Sequence, residues 1–159
     1  SGIVLLAAKD VEVFGNKILR NKTAGIAIAS YQITGFPTDA PNWSPYTSNI
    51  YVHDNEYDRS KGFPDLTREL GQLVSLYNAH GKAKTQDIIY DGFWDQNLSK
   101  TIENNPMKIC IDEANMSELF FTLFDLSGGK EEIKSSKNYQ PFTNCTVSVA
   151  TDISVIQSL

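Results

Sequence analysis

Three sets of side chains in this 159-residue chain have the types and spacing to do chemistry. The first set spans two similar stretches. Glu12 and Phe14 lie in VEVFGN, Tyr51 and His53 lie in IYVHDN, and Asp54, Asp58 and Arg59 follow. In both stretches the alternate positions are Val or Ile. An extended strand sends successive side chains to opposite faces. If Val11, Val13, Ile50 and Val52 point inward, then Glu12, Phe14, Tyr51 and His53 share an outer face. A base, an acid and a cation on one face are what proton abstraction from a uronic acid requires. Tyr51, His53 and Arg59 are the candidates for those roles. The plainer alternative is a surface histidine among tyrosines. The second set is residues 90–95, YDGFWD, where Asp91 and Trp94 combine carboxylate and aromatic surface suited to a sugar or a calcium ion. This stretch lacks the alternating oxygen ligands of a dedicated calcium loop, and a turn stapled by aromatic packing is the competing account. The third set is aromatic. Trp43 and Tyr46, with Tyr31 and Phe36, crowd a proline-rich stretch and offer a platform on which a sugar can stack. His53, His80, Met107 and Met116 are scattered, so neither a metal nor another cofactor is expected.

The elements that position these groups come from an internal repeat. Val11, Val13, Asn16, Ile18 and Arg20 match Ile50, Val52, Asn55, Tyr57 and Arg59 at an offset of 39 residues. Residues 2–7, GIVLLA, match residues 25–30, GIAIAS, at an offset of 23. A 16-residue insertion in the second copy accounts for the difference. Stacked repeats bury each unit's apolar face against its neighbours. Alternation with β-branched residues makes the unit three short strands, one coil of a parallel β-helix. Asn16 and Asn55 fall at the bend between the second and third strands. Asn accepts left-handed backbone there, and stacked Asn side chains can hydrogen-bond along the stack. The inserted loop spans residues 31–48, and Pro37, Pro41 and Pro45 predict no regular structure in it. A helix is predicted over residues 65–79, capped by Asp65, with Leu66, Leu70, Leu73, Val74 and Tyr77 on one face and Gly81 near its end. It is expected to cover an open edge. Strands are expected in DIIYDGFW, MKICIDEA, ELFFTLFDL and CTVSVATDI, as irregular last coils or a cap; the polar run from Ser127 to Phe142 reads as loop.

The segment GIVLLAAKDVEVFGNKILRNKTAGIAIAS resembles the right-handed parallel β-helix repeat. DIIYDGFWDQN, MKICIDEAN and the late Cys145 resemble the C-terminal part of a family of exported bacterial β-helix proteins whose activity is unassigned. That resemblance implies an all-β fold with one helix, a location in the periplasm or at the cell surface, and cytochrome-like or other envelope proteins as partners. Wider relatives include polysaccharide lyases and epimerases. Fold alone does not choose among these functions.

Composition sets the remaining bounds. The chain is long enough for one domain with a real core, read as coils over residues 1–61 and the helix with a β cap over residues 62–159. The net charge of −5 offers nothing to attract nucleic acid or anionic lipid. No apolar run is long enough to span a bilayer. Cys110 and Cys145 lie in separate predicted strands; a disulfide suits an exported protein, and two buried thiols are the alternative. A first coil beginning at residue 2 has an open end, to be covered by preceding coils or by another chain. The expected function is a non-catalytic envelope module that binds carbohydrate or a protein partner. The alternatives are a lyase or epimerase of uronic-acid polymers and a purely structural end of a longer solenoid.

Overall fold

The computed structural model describes residues 1–58, 64–78, 85–128, 134–136, 140–143 and 145. The chain is mostly β with two short α-helices, and its strands form no closed barrel among the described residues. In order they are β1 (Ile3–Leu6), β2 (Lys9–Phe14), β3 (Lys17–Leu19), β4 (Ala24–Ala29), β5 (Ser48–His53), β6 (Glu56–Asp58), α1 (Glu69–Asn78), β7 (Gln86–Tyr90), β8 (Ile109–Asp112), β9 (Phe121–Leu123), β10 (Lys134–Ser136) and α2 (Gln140–Thr143). Three sheets result, ordered β1-β4-β7-β9-β10, β2-β5-β8 and β3-β6. Every pairing is parallel except the last one in the first sheet, where β10 runs antiparallel to β9.

The register follows the internal repeat. Ile3 pairs with Ile26, Val11 with Ile50 and Ile18 with Tyr57, all in parallel strands. Alternation then sends Leu5, Val13, Ile26, Ile28, Ile50 and Val52 into one core. The stack continues where the sequence shows no clear repeat. Ile88 lies beside Ile26, and Ile109 beside Ile50. Segments expected to be irregular therefore add regular parallel rungs.

Left-handed backbone recurs layer by layer. Asp10, Asn49 and Lys108 have φ of 57°, 54° and 54° at equivalent positions of β2, β5 and the approach to β8. Gly15 and Asp54 share a second such position, with φ of 66° and 52°. This corrects the expectation for Asn16 and Asn55: the residue before each takes the left-handed turn. The asparagines supply the hydrogen bonds. Asn55 Oδ1 accepts from the backbone N–H of Asn16 at 3.0 Å and from its Nδ2 at 2.9 Å. Asn55 Nδ2 in turn donates to Glu113 Oε1 at 2.9 Å, so the ladder crosses three layers. Glu113 is buried, and it also accepts the Tyr57 hydroxyl proton at 2.6 Å. Burial, reinforced by that carboxylate, raises the Tyr57 pKa far above the ordinary phenol range.

Other expectations need revision. The helix begins at Glu69 because Asp65 caps a turn instead: its Oδ1 accepts from the Thr67 backbone N–H and hydroxyl. Leu66 is consequently exposed and leaves the apolar stripe. Gly71 packs so close to that turn that a Cβ there would lie 1.9 Å from the Asp65 carbonyl oxygen. Val74 packs with Ala24, Ala27, Ile89 and Phe124, which places α1 on a sheet face rather than over an edge. The small outward side chains of β4 make room for it. The inserted loop is not wholly irregular, since Tyr31–Thr34 form a 3-10 helix ending at Gly35 with φ of 70°. The polar run after Ser127 holds β10 and α2, so the described residues hold two α-helices rather than one. Residues 59–63, 79–84, 129–133, 137–139, 144 and 146–159 fall outside the description, and with them Arg59, His80, Gly81 and most of the expected last strand.

Cys110 and Cys145 form a disulfide with Cα atoms 5.6 Å apart. It ties the segment after α2 to the outer face of β8. Phe142 on α2 is fully buried and meets Tyr90 edge-on at 5.6 Å. No helix among the described residues is long and apolar enough to cross a membrane.

Candidate functional site

The outward side chains of β2, β5 and β8 form a polar surface linked by hydrogen bonds and stacked rings. Parallel register sets Phe14, His53 and Asp112 in one row, and Glu12, Tyr51 and Cys110 in the next. The rings stack both within a row and between the rows. His53 lies 5.3 Å from Phe14 at an interplanar angle of 4°, and 4.2 Å from Tyr51 at 24°. The outer face of Phe14 stays 53% exposed at the edge of the stack.

Two diagonal polar contacts cross between the rows. His53 Nε2 meets Glu12 Oε1 at 2.9 Å, and Tyr51 Oη meets Asp112 Oδ2 at 3.5 Å. The second ring nitrogen of His53 meets Asp54 Oδ2 at 2.7 Å. A neutral imidazole has one donor only, so two carboxylates at hydrogen-bond distance favour the doubly protonated ring. Burial alone would pull the His53 pKa down. Hydrogen bonds to Asp54 and Glu12, together with their charges, outweigh it and hold the pKa above the ordinary histidine value. The Tyr51 pKa is raised as well, by burial first and then by the neighbouring Asp112 charge.

This arrangement has a chemical consequence. A general base must present a free lone pair to the proton that it takes. Both His53 nitrogens are engaged by carboxylates, so the ring holds a proton instead of accepting one. Glu12 and Asp54 hold the His53 ring from its two nitrogens and Asp112 stands beside it on β8, three carboxylates to one imidazole, which leaves the face acidic. Such a face repels a uronate polymer and accepts hydrogen bonds from hydroxyl groups.

The other candidates are dispersed. Trp43 meets Tyr31 edge-on at 5.0 Å and stays partly exposed in the inserted loop. Tyr46 packs against the core. Asp91 and Trp94 are both buried. Asp91 accepts the backbone N–H of Ser30 at 2.6 Å and of Phe93 at 3.1 Å, so it pins the inserted loop to the turn after β7. Burial pushes its carboxyl pKa up to about 7, against those two hydrogen bonds. The Trp94 indole N–H donates to the Ser99 carbonyl at 3.3 Å, inside the core cluster. Among the described residues no group of three or more His, Cys, Asp or Glu is placed to hold a metal ion. Asp112 was overlooked in the sequence; setting Ile109 of ICID on Ile50 of IYVH would have brought it beside His53.

No family model, no curated protein and no solved structure matches the chain.

Proposed function

We propose that this chain is part of a right-handed parallel β-helix, and that it serves the bacterial cell envelope as a non-catalytic module that binds a hydroxyl-rich, uncharged glycan on its β2-β5-β8 face. Three stacked parallel ladders and left-handed turns recurring at equivalent rungs support the solenoid reading. The disulfide fits an oxidising compartment.

One observation carries the binding reading. Glu12, Asp54 and Asp112 offer carboxylate oxygens in successive layers, spaced by about 4.8 Å per strand, beside the stacked rings of Phe14, His53 and Tyr51. Carboxylates are strong acceptors for sugar hydroxyls, and the exposed face of Phe14 can take the C–H side of a sugar ring. The lyase and epimerase alternative draws less support, because both His53 ring nitrogens are engaged by carboxylates.

Affinity gel electrophoresis tests the reading directly. The expected result is retardation by at least one neutral polymer among xylan, mixed-linkage β-glucan and hydroxyethylcellulose, with no retardation by alginate or pectate. Phe14→Ala combined with Asp112→Ala should weaken retardation at least fivefold. Unchanged mobility in all three neutral gels, or a double variant that binds as well as the parent, rejects the proposal. Unsaturated product released from alginate or pectin would revive the lyase alternative.

A further inference from the structure

We propose that the outer face of the β1-β4-β7 sheet is a second binding site, which takes a neutral, apolar small molecule carrying one hydrogen-bond donor. The α1 helix covers part of this face, and beside it the exposed outward positions of β1 are apolar, where water-facing sheet positions are ordinarily polar. Alternation places Ile26 and Ile28 in the core and turns Ala27 and Ala29 outward. Beside those alanines on β1 stand Val4 and Leu6, which are 56% and 43% exposed. Short side chains between taller ones make the floor of a trough.

The two departures from the repeat build its walls. The inserted loop contributes Phe36, which is 66% exposed at the lip, and α1 contributes Leu70. With the sheet they bound an open cavity of about 770 Å³. That volume lies inside the range of about 300–1,000 Å³ typical of single small ligands. A concave site of this size suits one small molecule rather than a second copy of the chain.

Three polar residues line the wall, and since the Thr34 hydroxyl already donates to the Tyr31 carbonyl, Gln32 and Asp91 define the ligand's chemistry. The Gln32 side-chain carbonyl oxygen is buried and accepts no hydrogen bond among the described residues. A buried acceptor without a partner is costly, and a donor on the ligand would satisfy it once the Gln32 side chain swings into the cavity. Asp91 adds a carboxyl with both oxygens on backbone N–H groups. Once ionised it opposes any anionic ligand. The site therefore favours an alcohol or an amine-substituted aromatic over a fatty acid.

The test uses N-phenyl-1-naphthylamine, an apolar dye with a single N–H group. Its fluorescence should rise saturably with one molecule per chain. At pH 8, 1-decanol should displace it at least tenfold better than decanoate does. Ala29→Leu, which fills the floor, and Leu6→Asp, which alters an exposed position without touching the core, should each weaken the dye at least tenfold. Circular dichroism on both variants separates loss of the site from loss of the fold. Gln32→Leu should weaken 1-decanol about fivefold and leave naphthalene, which has no donor, unchanged. Unsaturable dye binding, equal displacement by decanoate, or folded variants that bind like the parent would each overturn the proposal. So would a dimer, seen by sedimentation, whose formation excludes the dye and thereby gives this face to a second copy.

Discussion

Replacing Asn55 by Ala tests the claim that a polar ladder, not the apolar core alone, fixes the register of the layers. The Asn55 side chain spans three layers. Its Nδ2 shares two protons among the Val13 carbonyl at 2.9 Å, the His53 carbonyl at 2.8 Å and Glu113 Oε1 at 2.9 Å, while Oδ1 accepts twice from Asn16. A neutral hydrogen bond contributes about 0.5–1.5 kcal/mol net, and one to a charged group about 1.5–3 kcal/mol. These bonds share atoms and do not add independently. The Glu113 carboxylate also retains Tyr57 and the residue 55 backbone N–H. The expected loss is therefore about 3 kcal/mol, led by the bond to the buried carboxylate. Asn16→Ala at the edge layer breaks only the contact to Asn55 Oδ1 and the bond to the Phe14 carbonyl, which is exposed. It should cost about 1 kcal/mol. Urea unfolding of the three proteins, read by circular dichroism with a common m-value, measures both losses. Equal costs for the two variants, or less than about 1 kcal/mol for Asn55→Ala, would show that apolar stacking alone sets the register.

Three further outcomes are expected. His53 has a raised folded-state pKa, so its contribution to stability is complete below the unfolded value of about 6.5 and is lost as pH rises through the folded value. The urea midpoint should fall over that window, and His53→Gln should flatten the fall; a parent protein without the fall removes the clasp between Glu12 and Asp54. Asp91 works in the same direction at lower pH. Its pKa of about 7 lies above the ordinary carboxylate range, so stability present in acid is lost as pH rises from about 4 through about 7. A folded Asp91→Asn should be less pH-sensitive across that interval, and an unaltered slope contradicts the buried placement. Reducing the disulfide, which joins residues 35 apart, should cost about 4 kcal/mol through loop entropy. A melting temperature unchanged by reductant would show that Cys145 does not anchor the C-terminal segment.

Legibility in the sequence followed chemical monotony. Val11, Val13, Ile50 and Val52 repeat residue types as well as spacing, and their pairing could be read without coordinates. The third layer uses the same backbone plan with altered residues. Glu113 joins the ladder that Asn16 and Asn55 build, and Lys108 takes the left-handed position held by Asp10 and Asn49. A repeat conserved in geometry but not in side chains leaves little trace to align. Asp65 misled for a different reason, because an Asx turn and a helix cap begin with the same residue type. Asp91 and Trp94 misled because burial cannot be read from a polar or amphipathic residue standing alone. The loop gave its aromatics but not their roles: Tyr46 turns to the core, while Trp43 stays at the surface.

The two proposed sites differ in origin, and that difference orders the experiments. The polar face is made by the repeat itself, since stacking equivalent strands in register brings Glu12 to His53 and Tyr51 to Asp112. Any substitution that shifts the register therefore damages it, and Asn55→Ala should weaken glycan binding along with stability. The apolar trough is made by segments foreign to the repeat, with the inserted loop and α1 leaning over alanines of β4. Its fate depends on the Asp91 hydrogen bond that holds Ser30 at the start of the loop. Asp91→Ala should thus abolish dye binding while leaving retardation by a neutral glycan intact. A variant that lost both together would mean that the two surfaces are not independent, and would return Asp91 to the core as a purely structural residue.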